Sequence, residues 1–414
     1  MAIKNIIASG IGFNPGGARW ALTGGIGLTR SIIFVKSRQN AFVESPHFQR
    51  DTRLPAPPSG AAATVFKLDP SGNVIWIYLT DGTSTFYRGI GHHSGVTWAV
   101  GPSNRDWTGN DGTADPSNYR CAWRLDNYGF LVASANVSHA ATKVFVDDEG
   151  NAFVSGSRST LGTGSNASVW RINADGTVAW GYDTGDSTYD IYWHDGIVYV
   201  AGVRSSSKSV WALTDNETSA ALAWSFDSGN DNNGIHGDGS NVYAGGKTST
   251  TWTGSGGVQA NAWSFTHGGA LNWGGQIKPG DVTISEVIGL SVYDGKIYTT
   301  FGAGDDVMVK SNGTGAHSGS PPGPPFLWEV GTGDTPWGAT ADADYSYFAS
   351  NKFTMWSGAG NTANFIKAAN SGGSIVWGWN SDRNYANDVF TEGSGYLWAI
   401  GDGTSIWEQR AKPP

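Results

Sequence analysis

The chain has 414 residues, of which 60 are glycine and 20 are tryptophan, and only 15% are charged. Glycine at one residue in seven disfavours helix by about 1 kcal/mol per occurrence against alanine. The aromatic content excludes a disordered chain, and the lack of a three-residue glycine period excludes collagen. A formal charge of −9 argues against DNA or RNA as a partner, because phosphate binding needs clustered Lys and Arg.

The chain opens with MAIKNIIASGIGF, which has no small-residue cleavage pattern, so no signal peptide is expected. No stretch approaches 18 uninterrupted apolar residues, so no membrane span is expected either. The single cysteine, Cys121, leaves no internal disulfide to form. Residues 1–60 fit no repeat and read as a docking or oligomerisation arm followed by a linker. They contain GIGFNPGGARWALTGGIG, then SIIFVKSRQNAFV, then the proline-rich DTRLPAPPSG. Apolar groups such as Ile11, Phe13, Trp20 and Phe34, with Arg19 among them, need something to pack against.

From residue 61 to 414 the sequence reads as one β-propeller domain. A turn, an alternating strand with a central aromatic and then small residues recur as SGVTWAVG, EGNAFVSG, DGIVYVAG, GSNVYAGG, DGKIYTTFG, ADYSYFAS and SGYLWAIG. The central aromatics are Trp98, Phe153, Tyr199, Tyr243, Tyr298, Tyr347 and Trp398, spaced 44–55 residues apart. A period in this range signals a propeller or solenoid built from one supersecondary unit. Between these strands lies a second hairpin, as in VFKLDPSGNVIW and VWRINADGTVAW. It ends at Trp76, Trp180, Trp224, Trp273, Trp328 and Trp377, with Ala133 in the remaining place. The two hairpins make a four-stranded unit. Because the series begins with a second hairpin (64–80) and ends with a first (386–401), joining the ends would close the ring. The expectation is therefore an all-β, seven-bladed β-propeller of four-stranded blades, closed by its N- and C-terminal hairpins and preceded by a non-propeller arm. SIWEQR (405–410) also reads as a strand and competes with 64–68 for one position.

The second hairpin resembles the repeats of quinoprotein-like propellers. In Val169-Trp170-Arg171-Ile172, through Gly176 to Trp180, even the trailing Thr184-Gly185 is similar. The resemblance covers residues 63–402 and implies the scaffold. The chain departs from quinoprotein dehydrogenases in its blade count of seven and its single cysteine. In the arm, Gly10-Ile11-Gly12-Phe13, Pro15-Gly16 and Ala18-Arg19-Trp20 resemble the start of small structural proteins of tailed bacteriophages.

The connections between hairpins include long segments, 101–120, 156–167, 245–260 and 357–364, which share one face. Trp107, Asp111, Trp252 and Asp231 are the candidate binding residues; the two indoles either stack on a sugar ring or pack onto a neighbouring blade. Asp81, Asp183, Asp186, Asp227, Asp231, Asp281, Asp334 and Asp382 sit in connections between blades and are expected to ring that face. They either hold a cation or hydrogen-bond their own turns. His92 and His93 are adjacent, so a strand would point them apart. His139, His194, His236 and His267 show no ligand spacing. Gly-x-Ser-x-Gly-like and Gly-rich tracts lie in loops of a β chain, where they carry no mechanical meaning. No catalytic residue, metal or cofactor is expected. The leading expectation is a non-enzymatic bacteriophage virion protein, homo-oligomeric, docked to other virion proteins by its arm and meeting a cell-surface glycan or virion protein by its loop face. A quinoprotein-like or glycan-cleaving enzyme and a lectin-like propeller are the rivals.

Overall fold

The computed structural model of the chain describes residues 41–43, 63–79, 88–104, 120–138, 140–160, 164–257, 259–277, 286–301, 307–312, 326–331, 336–354, 362–380, 385–393, 395–402 and 408–411. Everything in it is strand and turn. The chain first lays down β1 (Ala41–Val43), β2 (Ala63–Leu68) and β3 (Val74–Leu79). Six antiparallel sheets of consecutive strands follow. The first holds β4 (Gly89–His93), β5 (Val96–Asn104), β6 (Arg120–Leu125) and β7 (Leu131–Ala135). The second holds β8 (Ala141–Val146), β9 (Ala152–Ser159), β10 (Ala167–Ile172) and β11 (Val178–Tyr182). The third holds β12 (Thr188–His194), β13 (Ile197–Ser205), β14 (Lys208–Asp215) and β15 (Ala220–Phe226). The fourth holds β16 (Asn232–Gly237), β17 (Asn241–Ser249), β18 (Ala260–Thr266) and β19 (Leu271–Gly275). The fifth holds β20 (Val287–Tyr293), β21 (Lys296–Phe301), β22 (Val307–Asn312) and β23 (Phe326–Gly331). The sixth holds β24 (Pro336–Ala341), β25 (Tyr345–Thr354), β26 (Thr362–Ala369) and β27 (Ile375–Asn380). The chain ends with β28 (Tyr385–Thr391), β29 (Leu397–Asp402) and β30 (Glu408–Ala411).

The first strand of each sheet lies innermost. β4 packs beside β8, β8 beside β12, β12 beside β16, β16 beside β20, β20 beside β24, β24 beside β28, and β28 beside β4. This closed circuit of inner strands is a β-propeller. The sequence predicts seven blades, one of them joined from the N- and C-terminal hairpins. The structure shows six blades drawn from consecutive strands and a joint sheet assembled from both ends, in the order β1-β3-β2-β29-β28. The physical reason is the phase of the repeat: it starts midway through a unit, so neither end has four strands of its own. The joint is a full antiparallel ladder from Ala63 opposite Asp402 to Leu68 opposite Leu397. A second correction concerns strand number. β1 adds to the outer edge of β3, and β30 adds to the outer edge of β27, so two sheets have five strands. Of SIWEQR, Glu408–Arg410 therefore lies on β27 and does not compete with residues 63–68.

Local chemistry explains the hairpins. Asp69 Oδ1 accepts the N–H groups of Ser71 and Asn73 at 2.9 and 2.8 Å. Asp126 serves Tyr128 and Phe130 in the same way, and Asp147 serves Glu149 and Asn151. A carboxylate that satisfies its own turn backbone fixes the hairpin without long-range help.

The core lies between blades, and several outer-strand tryptophans fasten one blade to the next. The indole N–H of Trp76 donates to Asn127 O at 3.1 Å, that of Trp180 to Asp215 Oδ1 at 2.9 Å, and that of Trp224 to His267 O at 3.0 Å. Each acceptor sits in the outer hairpin turn of the following sheet. In the sixth sheet the bond to the joint sheet comes from Trp379, two residues past the recurring Trp377: its indole N–H donates to Gly72 O at 3.1 Å. The turn glycines Gly129 and Gly269 take positive φ and lie flat on the indoles of Trp76 and Trp224. A Cβ there would approach the ring to 2.9 and 2.6 Å. Across strands, the second aromatic series meets the basic residues of the other hairpin. Lys67 pairs with Trp398, Arg171 with Phe153 and Lys367 with Tyr347 in the ladders, with cation–ring distances of 4.9, 5.9 and 5.7 Å.

Candidate functional site

Two polar regions stand out on this frame. The first lies on the inner strands. β8, β12, β16, β20, β24 and β28 each slip register within their first two residues, and the residue beyond the slip is Lys143, Asp190, Gly234, Gly289, Gly338 or Asp388. A bulge of this kind re-aims the side chain that follows it. Three of these positions carry charge, and neighbouring glycines make room for them. A Cβ on Gly89 would come within 2.6 Å of Lys143 Cα, and one on Gly338 within 2.5 Å of Asp388 Oδ1.

Asp388, buried on β28, accepts the Ile90 N–H of β4 at 3.0 Å and an ion pair from Lys143 Nζ of β8. Asp190, buried on β12, accepts the Ile235 N–H of β16 at 2.8 Å and its neighbour Ile191 N–H at 2.9 Å. Thr142 Oγ1 donates to Thr188 O at 2.9 Å, joining β8 to β12. Burial pushes the Asp190 carboxyl up to about 7, with the Lys143 charge opposing. Burial also raises Asp388 above the usual carboxylate range, again against Lys143. The cluster can hold a proton at the hub near neutral pH, and its oxygens tie one inner strand to another.

The second region is the loop face. Arg158 grips Asp183 through Nε and Nη2 at 2.7 and 2.6 Å, and Arg204 grips Asp227 at 2.7 and 2.8 Å. The same aspartates accept the N–H of Gly185 and Gly229, two residues on. The arginine hydrogen bonds hold both carboxyls below the usual carboxylate range. Asp231 accepts the Arg204 N–H and the Lys247 ammonium, each at 2.9 Å, which hold it low against its partial burial. Asp186 accepts the N–H of Ser187 at 2.7 Å. The expected acidic ring is thus, where described, a set of ion pairs and turn caps. Asp81, Asp281, Asp334 and Asp382 lie outside the described residues.

Of the sequence-predicted binding residues, Trp252 is buried. It packs with Trp263 in one core cluster, and its ring edge would lie 3.0 Å from a Cβ on Gly274. It is a packing residue and offers no stacking platform, because the chain after β17 folds back over its own blade. Asp231 is engaged as described. Trp107 and Asp111, and the arm residues Ile11, Phe13, Arg19, Trp20 and Phe34, lie outside the described residues. Cys121 is a buried thiol whose sulfur accepts the Val137 N–H at 3.4 Å.

The histidines divide as their sequence positions predict in one case and not in another. His92 is buried and stacked on Trp398 at 3.7 Å, with burial holding it down to about 3. His93 points outward to Asp148 at 3.2 Å. His194, His236 and His267, scattered in sequence, gather on the hairpin-turn face between the third and fourth blades. His194 stacks on His267 at 4.5 Å, and His236 lies against Tyr192 at 4.9 Å. His267 Nε2 donates to Asp238 O at 2.9 Å, which leaves Nδ1 to accept the Tyr199 hydroxyl at 2.9 Å. Among the described residues no group of three or more His, Cys, Asp or Glu is placed to hold a metal ion.

No family model matches the chain, and no curated protein matches it, so the resemblance seen in the N-terminal segment gains no support there. Solved structures do align. The WD40 β-propeller domain of Doa1 superposes with a TM-score of 0.49 at 11% identity, over 78% of this chain and 96% of that one. BamB from Moraxella catarrhalis gives 0.41 at 12% identity, over 83% and 92%. The computationally designed Ika8 protein gives 0.48 at 8% identity, over 80% and 98%.

Proposed function

We propose that this chain is a structural protein of a bacteriophage virion, without catalytic activity, that displays a seven-bladed propeller on the particle. The joint sheet counts as the seventh blade. Residues 1–60 dock it to other virion proteins and to further copies of itself, and the loop face meets a host-surface glycan or another virion protein. The observation that carries this reading is the placing of the two terminal strands. β1 and β30 lie on the outer edges of adjacent sheets, so both sit in one sector of the rim of the ring. An enzyme would need polar groups free to meet substrate, whereas Asp190 and Asp388 direct oxygens to backbone N–H groups of neighbouring blades.

The test compares the full chain with a version starting at Arg53, by mass in solution and by incorporation into particles. The full chain is expected to associate and to enter particles, and the shortened chain to remain a folded monomer outside them. Equal attachment of both would remove the arm as anchor and overturn the reading.

A further inference from the structure

The six register slips of the inner strands each leave one residue without a partner in its ladder: Thr142, Tyr189, Asn233, Ile288, Trp337 and Asn387. Each follows the connection from the preceding sheet, so together they form a rim on the loop side of the ring of inner strands. Two short polar members stitch neighbouring strands together. Thr142 donates to Thr188 O of β12, and Asn233 Nδ2 donates to Val287 O of β20, each at 2.9 Å. β24 carries an indole at this place instead. Among the tryptophans whose burial is described, only Trp337 is exposed, by 42%. A bulge re-aims a side chain and is a recurrent device beside binding sites. A part-exposed indole on the innermost strand offers an apolar face and one N–H donor to an incoming molecule.

We propose that this rim binds an uncharged sugar residue, with Trp337 as its stacking platform. The proposal rests on the glycan reading of the loop face above and names its site, since buried Trp252 cannot fill the stacking role. Gly289 lets β20 close onto β24. A Cβ there would lie 2.8 Å from Trp337 O and 3.4 Å from Gly338 Cα, so the rim residues of the two strands stand side by side. Towards β16 the rim carries hydrogen-bonding groups. Asn233 Nδ2 donates to Glu286 Oε1 at 2.7 Å and fixes that carboxylate just ahead of β20. The Tyr189 hydroxyl is raised above its ordinary range by burial and by the Asp231 charge, against Lys247, with Asp186 and Glu286 adding to it. The phenol of β12 therefore belongs to the same group as the Glu286 carboxylate. Carboxylate and phenol oxygens accept sugar hydroxyls, while the C–H face of the ring covers the indole. Charge selects the ligand. The carboxylates of Asp186, Asp231 and Glu286 outnumber the single ammonium of Lys247, which disfavours an anionic sugar or a phosphate.

The experiment uses the full chain and the methyl glycosides of glucose, galactose, mannose, N-acetylglucosamine and N-acetylgalactosamine, with a sialoside as the charged control. Saturation-transfer NMR reads binding. The indole N–H resonance that is missing from Trp337→Phe reports the site. The wild type is expected to bind at least one uncharged glycoside and not the sialoside, and that glycoside is expected to shift the Trp337 resonance. Trp337→Ala should weaken binding at least about tenfold, as truncation of a central aromatic anchor does, with an unchanged melt. Tyr128→Ala, exposed in a hairpin turn on the opposite face, should bind as the wild type does. Should Trp337→Ala fail to fold, the resonance shift decides, because it is read on the wild type. No transfer from any uncharged glycoside, or binding of the sialoside alone, overturns the proposal. Transfer that moves neither the Trp337 resonance nor the affinity of Trp337→Ala also overturns it, while leaving a glycan site elsewhere on the loop face. The version starting at Arg53 keeps Trp337, so docking through the arm and sugar binding at the rim can fail separately.

Discussion

Asp190 shows how much rests on single side chains at the hub. Its folded pKa of about 7 stands above the ordinary carboxylate value, so the folded protein keeps a proton that the unfolded chain gives up. That contribution is complete below about pH 4 and is lost as pH rises through 7. Asp388 shifts the same way. His92 and His236, held down to about 3 and 4 by burial, act in the other direction and cost stability as pH falls below their ordinary range. Asp190→Asn keeps an oxygen for the Ile235 N–H and removes the buried charge. Calorimetry from pH 5 to 8 should therefore show the wild-type melting temperature falling more steeply than the variant's, with the largest gap at pH 8. Parallel curves would mean that the carboxyl is ionised throughout. None of this was legible in the sequence. The inner strands carrying Lys143, Asp190 and Asp388 share no motif, and 245 positions separate the ion-paired residues. Nor did sequence show that Trp252 is buried, because a loop tryptophan reads alike whether it faces water or its own blade.

At the scale of strands and turns the sequence was far more informative. The period of the central aromatics located the second strands, and the recurring tryptophans located the outer ones, because each series recurs at the same place in most blades. The turn-to-indole contact predicts an unequal effect of equal substitutions. Gly269 and Gly257 have φ of +88° and +89°, but a Cβ on Gly269 meets Trp224 whereas one on Gly257 meets nothing within 4 Å. Both changes to Ala incur about 1–2 kcal/mol of left-handed backbone strain. Gly269→Ala must also displace the indole, so denaturant unfolding should rank it clearly below Gly257→Ala. Equal values would mean that the turn and the tryptophan move freely past each other. Trp180→Ala, which removes a buried indole and its bond to the next blade, should cost about 3–5 kcal/mol. A surface-like penalty in the same titration would contradict that packing.

For the whole molecule, closure is the decisive contact. The phase of the repeat announced it. The strand at 405–410 was legible too, though its neighbour was not, because edge pairing leaves no mark in sequence; β1 was beyond reach, since a three-residue edge strand has no period of its own. Removing residues 63–80 should leave β29 without its partner β2, reduce the joint sheet to β28 and β29, and abolish the single cooperative melt, whereas removing residues 1–55 takes away only β1 from the described strands. Persistence of one sharp transition at an unchanged temperature in the first deletion would show that the ring does not depend on its joint.

The same joint sets a timetable for synthesis. β2 leaves the ribosome about 330 residues before its partner β29, and at about 5–20 residues per second this is a wait of roughly 16–65 s. During that wait the hairpin of β2 and β3, among the most apolar in the chain, has one flank that nothing yet made can occupy. β1, produced shortly before, is already available for the other flank. β1 is therefore expected to shield one flank of the nascent hairpin from its neighbours while the rest of the circle is being made.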